Sequence, residues 1–406
     1  IIAATATIKQ FKSQIQALFG REKAYLFPSP GLDSNDSFFA TPEINEKTGE
    51  PMPGRKYVGV NTSTVRIMMS QVMSFSAILQ AVKEIEPSER DPYWTLLAFY
   101  NTIRELGGAL TLTQTDIVQY SRSIAQRKGT LKDIRYINNV LELTSRKQSH
   151  EISKTIDDLK EPYNPPGKSS WDTTIDLCLA SNIIEVGVDI DRLSVMAIVG
   201  QPKMTAQYIQ VSGRVGRRWW ERPGLIFTLY SNTKSRDKSH FEHFREYHQK
   251  LYAQVEPTSV TPFSDSCLDR GLQAIIVGFL RQALSAEIAR TPNWNEINKI
   301  IGSKFAPFYK RLIERAELVD PEQVKELKKR VNNIMDRLQN GHYTSWKVGA
   351  HVEGYMYPAG INVPYLEKNK AQSMINSLRN VDAECKGQIV STYVEDKKTF
   401  SMEDFL

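Results

Sequence analysis

Three near-continuous apolar runs constrain this chain more than any other feature: TIDLCLA (174–180), SVMAIVG (194–200) and GLIFTLY (224–230). A strand with one wet face alternates apolar and polar residues, whereas a strand that is apolar throughout must be covered on both faces. That pattern belongs to parallel sheets, whose crossover helices lie on both sides. KYVGV (56–60), WTLLAFYN (94–101) and residues 137–144 read as further strands. Residues 64–85, LTQTDIVQYSRSIAQR (112–127) and HEISKTIDDL (150–159) read as helices between them. On the first of these, Val65, Met68, Met69, Val72, Leu79 and Val82 are expected to share the buried face. Alternating strands and helices predict an α/β fold with a doubly wound parallel sheet.

The flanks differ. Ile1 to Thr7 reads as a core strand. Ile8, Phe11, Ile15 and Leu18 have helical spacing up to Gly20, and KAYLF (23–27) reads as a short strand. Residues 28–56 are rich in turn-forming residues and read as a connector. After residue 235 the pattern is mainly helical. One face is expected to carry Leu268, Leu272, Ile275, Phe279 and Ile288. A second helix is expected over 320–340, with Asp320 as cap, Pro321 in the first turn, Gln323 completing a capping box and Asn340-Gly341 as the stop. Residues 341–406 read as a mixture of short strands and helices. The resulting division is 1–50, 51–235 and 236–406, in keeping with two or three domains for 406 residues.

Composition narrows the class. Hydrophobic residues make up 41% and charged residues 24%, enough to build cores and unlike a disordered chain. No apolar stretch approaches the roughly 18–20 residues of a membrane span. The formal charge of +6 permits a nucleic-acid partner without requiring one. Cys178, Cys267 and Cys385 form no CxxC pair, so no metal site is expected and a reducing cytoplasm fits. IIAATATI runs straight into Lys9-Gln10 and lacks the pattern of a signal peptide; it reads as a strand whose beginning is missing, so the chain is expected to be part of a longer protein.

The strongest chemical signal is Gln210-Val211-Ser212-Gly213-Arg214-Val215-Gly216-Arg217. Arg214 and Arg217 lie three apart, on one face of a helical turn, and the glycines beside them allow a phosphate or a backbone to come close. Guanidinium groups present planar forks to phosphate oxygens. About twenty residues earlier, Ala180-Ser181-Asn182-Ile183-Ile184-Glu185-Val186-Gly187-Val188-Asp189-Ile190-Asp191 follows a buried strand at the carboxyl edge of the sheet, where open α/β sheets bind ligands.

Together these segments resemble motifs V and VI of superfamily 2 helicases, whose two RecA-like lobes hold ATP in their cleft and nucleic acid across the top. Thr5-Ala6-Thr7 is similar to the family's motif III, Phe99-Tyr100-Asn101 with Arg104-Glu105-Leu106-Gly107 to motif IV, and Leu143-Thr144-Ser145-Arg146 to the nucleic-acid-contacting turn that follows. The resemblance implies that Gln210, Arg214 and Arg217 act at the γ-phosphate, that Gly187 and Asp189 lie near the nucleotide, and that Thr5 and Thr7 couple the two sites. It further implies that Thr144, Ser145, Arg146, Ser181 and Asn182 hold the DNA backbone. Ser181-Asn182 stands where threonine is frequent in the family, and Ser212 where alanine is. No GxxxxGK[ST] segment occurs and no DEAD-type pair precedes Thr5, so ATP and Mg²⁺ are expected to be held mainly by a first lobe upstream. This chain alone is expected to be inactive.

LFPSPGLDSNDSFFA (26–40), FYNTIRELGGA (99–109), ELTSRK (142–147), GQPKMTAQYIQVSGRVGR (200–217) and INSLRNVDAEC (375–385) resemble the helicase subunit of DISARM anti-phage systems, the DrmA type. That likeness implies single-stranded DNA, the N-terminal helicase lobe of the same protein and a DrmB-type second subunit as partners. The related MrfA-like DNA-repair helicases normally carry a four-cysteine cluster, which three scattered cysteines do not supply. A DNA-holding scaffold lobe without turnover is the alternative from another class. Trp219 and Trp220, among arginines, can stack on a base or pack under the following helices; packing is favoured because Trp is usually largely buried. His240, His243 and His248 lack a third soft or carboxylate ligand and are not expected to bind metal. The charged helix 320–340 is read as a solvated face, with the border of a DNA path as the other reading.

Overall fold

The computed structural model describes residues 1–5, 7–28, 38–39, 41–52, 54–144, 147, 149–163, 174–185, 189–218, 222–257, 260–349, 352–357 and 372–373. Helix α1 (Phe11–Phe19) comes first, then β1 (Arg55–Asn61), α2 (Ile67–Ala81), α3 (Asp91–Trp94), β2 (Leu96–Tyr100), α4 (Ile103–Gln114) and α5 (Asp116–Lys128). Next come β3 (Val140–Leu143), α6 (Ser149–Lys160), β4 (Leu177–Ala180), β5 (Val195–Val199), α7 (Thr205–Ser212) and β6 (Gly224–Tyr230). Helices α8 (Ser235–Glu242), α9 (Phe244–Gln249), α10 (Asp265–Cys267), α11 (Gln273–Ala283), α12 (Trp294–Ile300), α13 (Ala306–Val319) and α14 (Val324–Asn340) come after them. Strands β7 (Ser345–Lys347), β8 (Gly354–Tyr357) and β9 (Gln372–Ser373) close the described part.

Strands β1 to β6 form one parallel sheet in the order β1-β6-β5-β2-β4-β3. The apolar runs divide by parity, as the period of a strand requires. Leu97, Phe99, Cys178, Ala180, Met196 and Ile198 join one core, which α7 and α9 complete with Tyr208, Val211 and Tyr247. Leu96, Ala98, Tyr100, Leu177, Leu179, Ala197 and Val199 face the other side, under α2, α4 and α5. The first of these cores reaches as far as Val255. A separate core runs from Phe263 to Met356 and is built mainly by α11, α13 and α14. The doubly wound parallel sheet expected of a RecA-like lobe is present.

Several expectations are corrected. Among the described residues, 1–5, 7 and 23–27 form no strand, and Ile2 and Tyr25 are 100% and 88% exposed. A strand needs a neighbour to pair its N–H and C=O groups, and no strand of the sheet pairs with these segments. On α2, Met68 and Met69 are exposed while Ser70, Gln71, Phe75, Ser76 and Gln80 are buried with Val72 and Leu79. Polar members of that face are paired: Tyr100 donates to Gln71 Oε1 at 3.1 Å, and Ser76 Oγ to the carbonyl of Ile117 at 3.0 Å. Ile275 is exposed because a π turn at Leu268–Leu272 inserts an extra residue, so Ile276, Val277 and Leu280 turn inward instead. Ile288 also lies outside that core. Asp320 makes no side-chain cap; a short 3-10 turn (Pro321–Gln323) starts the last helix, and Gly341 ends it in a right-handed conformation. Helix α4 escapes the periodicity, since Gly107 and Gly108 interrupt it; Thr102 caps it by accepting from Glu105 N at 3.2 Å.

The amino edge of the sheet is fastened by a buried ion pair. Arg135 Nη2 lies 3.2 Å from Asp176 Oδ1, and the guanidinium sits 4.0 Å above the Trp94 ring. Asp176 Oδ2 also accepts from the N–H groups of Asn138 and Asn139 at 2.9 and 3.1 Å. Arg135→Met leaves that carboxylate buried without its cation. It is expected to destabilise the lobe by about 3–5 kcal/mol, read as a lower urea midpoint followed by tryptophan fluorescence.

Candidate nucleotide and nucleic-acid site

The arginine-bearing segment begins on α7. Its first N–H, that of Thr205, donates to both carboxylate oxygens of Glu256 at 2.8 Å. Burial pushes the Glu256 carboxyl up, but the N–H groups of Thr205 and Ala206 outweigh this and hold it below the ordinary range. Tyr208, Ile209, Val211 and Ser212 face the core, which turns Gln207 and Gln210 outward. These two glutamines, three apart, reach in different directions. Gln207 Nε2 donates to Asn182 Oδ1 at 3.0 Å, and Gln210 Nε2 donates to Thr7 Oγ1 at 3.1 Å. Residues from three distant stretches of chain therefore meet on one short helix. Thr5 Oγ1 donates to the carbonyl of Thr7 at 3.2 Å and shapes that end of the contact.

Beyond Ser212 the chain leaves the helix at Gly213 and turns sharply. Gly216 has φ +63°, the left-handed region where a side chain is strained. A Cβ on Gly216 would stand 2.5 Å from the Cα of Gly224, so the turn closes against the start of β6 only because both residues lack side chains. The Gly216 N–H donates to the carbonyl of Leu193 at 2.8 Å. Arg214 and Arg217 are half-buried on this turn. Arg217 Nη1 pairs with Asp189 Oδ1, while its Nε has no hydrogen-bond partner among the described residues. A guanidinium held by one exposed carboxylate is an arrangement that fits an anion.

The other face of α7 rests on an aromatic cluster. Tyr208 shares hydrogen bonds of 3.0 Å with Thr228 Oγ1 and with His248 Nε2, and the ring of Tyr57 lies 4.7 Å from that of His248. Burial pushes the Tyr208 phenol up, and burial, reinforced by His240, pushes the His248 imidazole down. His240, His243 and His248 each set Nδ1 against the carbonyl four residues back, at 2.9, 2.9 and 2.7 Å. Among the described residues no group of three or more His, Cys, Asp or Glu is placed to hold a metal ion.

At the carboxyl edge the register sets Leu143 beside Ala180, so Thr144 and Ser181 come next on neighbouring strands. Both side chains are buried; Thr144 donates to Glu142 Oε1 and the Ser181 N–H to the carbonyl of Leu143 at 3.1 Å. Asn182, next along, is half-buried. Asn101 Nδ2 ties β2 to β5 through the carbonyls of Val199 and Gly200 at 3.1 and 3.0 Å. Ser145, Arg146, Gly187, Trp219 and Trp220 lie outside the described residues.

Residues 96–218 match the family described as the helicase conserved C-terminal domain, a span from β2 through the turn of Arg214 and Arg217. Over 285 residues, 69% of its length, the chain is 41% identical to the DISARM protein DrmA of Bacillus paralicheniformis, and it spans 24% of that protein. Similar solved structures include the Mycobacterium smegmatis helicase Lhr bound to ssDNA and AMP-PNP, at 15% identity, 55% of this chain, 25% of that chain and TM-score 0.35. The DUF1998 helicase MrfA bound to DNA and AMPPNP is another, at 17% identity, 55% of this chain, 27% of that chain and TM-score 0.37. Among the described residues no helix is long and apolar enough to cross a membrane.

Within the matched span, Gln207 escapes sequence reading although it lies one turn before Gln210. Arg55 escapes it too, because nothing in the sequence ties it to a turn about 160 positions later. Gly216→Ala is expected to destabilise the domain by about 1–3 kcal/mol, read as a lower urea midpoint. Burial holds the His248 imidazole below the ordinary 6.5, so in the folded state it stays neutral to lower pH than in the unfolded chain. The unfolded chain takes up that proton at higher pH than the folded one. The contribution of neutral His248 is therefore complete above about pH 6.5 and is lost as pH falls through the folded value. Urea midpoints at about pH 7.5 and 5.5 are expected to differ more in the wild type than in His248→Gln.

Proposed function

We propose that this chain is the C-terminal part of an ATP-dependent superfamily 2 DNA helicase or translocase that serves anti-phage defence in the cytoplasm. Residues 1–50 then end the first RecA-like lobe and link it onward, 51–235 form the second lobe, and 236–406 form a mainly helical accessory domain. The observation that carries the reading is the helicase-domain match across 96–218, within which Gln210, Arg214 and Arg217 occupy one helix end and the turn after it. The 41% identity to the DISARM protein DrmA supports the defence role and a DrmB-type second subunit as partner.

ATP with Mg²⁺, held mainly by the first lobe, supplies the phosphoanhydride bond whose hydrolysis drives the cycle. Arg214 and Arg217 donate to oxygens of the γ-phosphate and neutralise charge that develops there. The pair of Arg217 with Asp189 supports this role, since the guanidinium is already held by an anion that a phosphate can replace. Gln210 serves the same phosphate and, through Thr7, passes its position to the segment that carries Thr5. Gly187 and Asp189 border the nucleotide. Thr144, Ser145, Arg146, Ser181 and Asn182 line the path of single-stranded DNA; the burial of Thr144 and Ser181 supports contact through Asn182 and the backbone of that edge. Contacts to phosphates make such binding salt-dependent and nearly sequence-blind.

The test is ATP hydrolysis stimulated by single-stranded DNA, in the protein that contains both lobes, comparing wild type with Arg214→Ala. Turnover is expected to fall roughly 10³-fold or more while DNA binding persists. Equal turnover overturns the role of Arg214, and absence of turnover in both points to a DNA-holding scaffold. Residues 1–406 alone are expected to be inactive, and robust hydrolysis by them overturns the division of labour between the lobes.

A further inference from the structure

Arg55, the first residue of β1, lies beside the turn of Arg214 and Arg217 from the opposite end of the domain. In register it pairs with Gly224. Its Cγ lies 3.6 and 3.3 Å from the positions that a Cβ would take on Gly216 and Gly224, so its stem covers the point where those two backbones touch. Its head then meets the turn: Nε donates to the carbonyl of Val215 at 2.8 Å and Nη2 to the carbonyl of Gly213 at 3.2 Å. These are the carbonyls of the two residues that flank Arg214. They lie just past the last turn of α7, where carbonyls have no partner within the helix and where positive charge is favourable.

We infer that Arg55 is a positioning residue that fixes the Arg214–Arg217 turn, and with it the direction in which both arginines point; this rests on their proposed role at the γ-phosphate. A guanidinium spans two carbonyls with one rigid plane, which an ammonium cannot reproduce. Arg55 itself is exposed and bonds backbone carbonyls of the turn, so it acts through Arg214 and Arg217.

Arg55→Met keeps the stem and removes both hydrogen bonds; Arg55→Lys keeps the charge. Hydrogen–deuterium exchange of this chain is the first readout. Arg55→Met is expected to speed exchange over 213–217 by about tenfold while the peptide over 195–199 is unchanged. Unchanged exchange over 213–217 overturns the inference. Turnover of the two-lobe protein is the second readout. Arg55→Met is expected to lower kcat by about 10- to 10²-fold, with KM for ATP and DNA affinity within about twofold, and Arg55→Lys to fall between it and wild type. Introduced into Arg214→Ala, Arg55→Met is expected to add less than its loss in the wild-type background, the remainder being its effect through Arg217. A full additional loss in that background, or a loss matched by a fall in Tm, identifies a merely structural role and overturns the inference. If Arg214→Ala leaves turnover intact, the phosphate reading fails by itself, and the exchange result still decides whether Arg55 holds the turn.

Discussion

A sheet whose six strands all run the same way delivers every loop that leaves a strand to one edge. That constraint organises the lobe. It places Asn101, Thr144, Ser181, Gly200 and Ser231 along a single rim, although they are spread over 130 positions of sequence. It also obliges helices to cover both faces, because the crossover from one strand to a parallel neighbour must travel back past the sheet. The strands carry apolar residues at consecutive positions for that reason. Thr228, a polar residue within β6, is paired: its hydroxyl shares a hydrogen bond of 3.0 Å with Tyr208.

Within this frame the arginine turn depends on two absences of side chain. Gly216 and Gly224 allow the turn after α7 to lie against the first residue of β6. The turn therefore inherits its position from the sheet rather than from its own hydrogen bonds alone. Helix α7 supplies the second reference. Its inner face is held by the Tyr208, Thr228 and His248 network, so the outward Gln207 and Gln210 have a fixed origin from which to reach Asn182 and Thr7. The pair of half-buried Arg217 with exposed Asp189 contributes little stability in water, which makes it easy to exchange for another anion.

Legibility tracks the physics of each feature. Strands β2, β4, β5 and β6 are readable because burial on both faces leaves a composition that few other environments tolerate. Gln210, Arg214 and Arg217 are readable because their chemistry depends on local spacing. The buried face of α2 is not: Ser70, Gln71, Ser76 and Gln80 look like surface residues until the partners of that face, Tyr100, Ile117 and Asp133 among them, are placed opposite. The face of the segment from Leu268 onward is displaced by one position from its apparent period, since a π turn leaves no mark in an apolar pattern. Arg55 has no readable signal at all, because a guanidinium that bonds two carbonyls recognises backbone, and backbone is the same at every position.

The amino-terminal segment is held without burial. Helix α1 buries none of its residues, and nine residues are too few to hold a helix in water by propensity alone. Polar anchors take over. Arg315 of α13 donates from Nη2 to the carbonyls of Gln16 and Ala17 at 2.6 and 2.8 Å, closing the last turn beside Gly20, whose φ of +63° ends the helix. Thr7, just before the helix, accepts from Gln210. One short stretch is thus tied to the helix that precedes the arginine turn and to the helical core beyond Phe263. Directional bonds of this kind fix a position while leaving little apolar surface to separate, so the same contacts that hold the segment are also the ones that can be released at small cost.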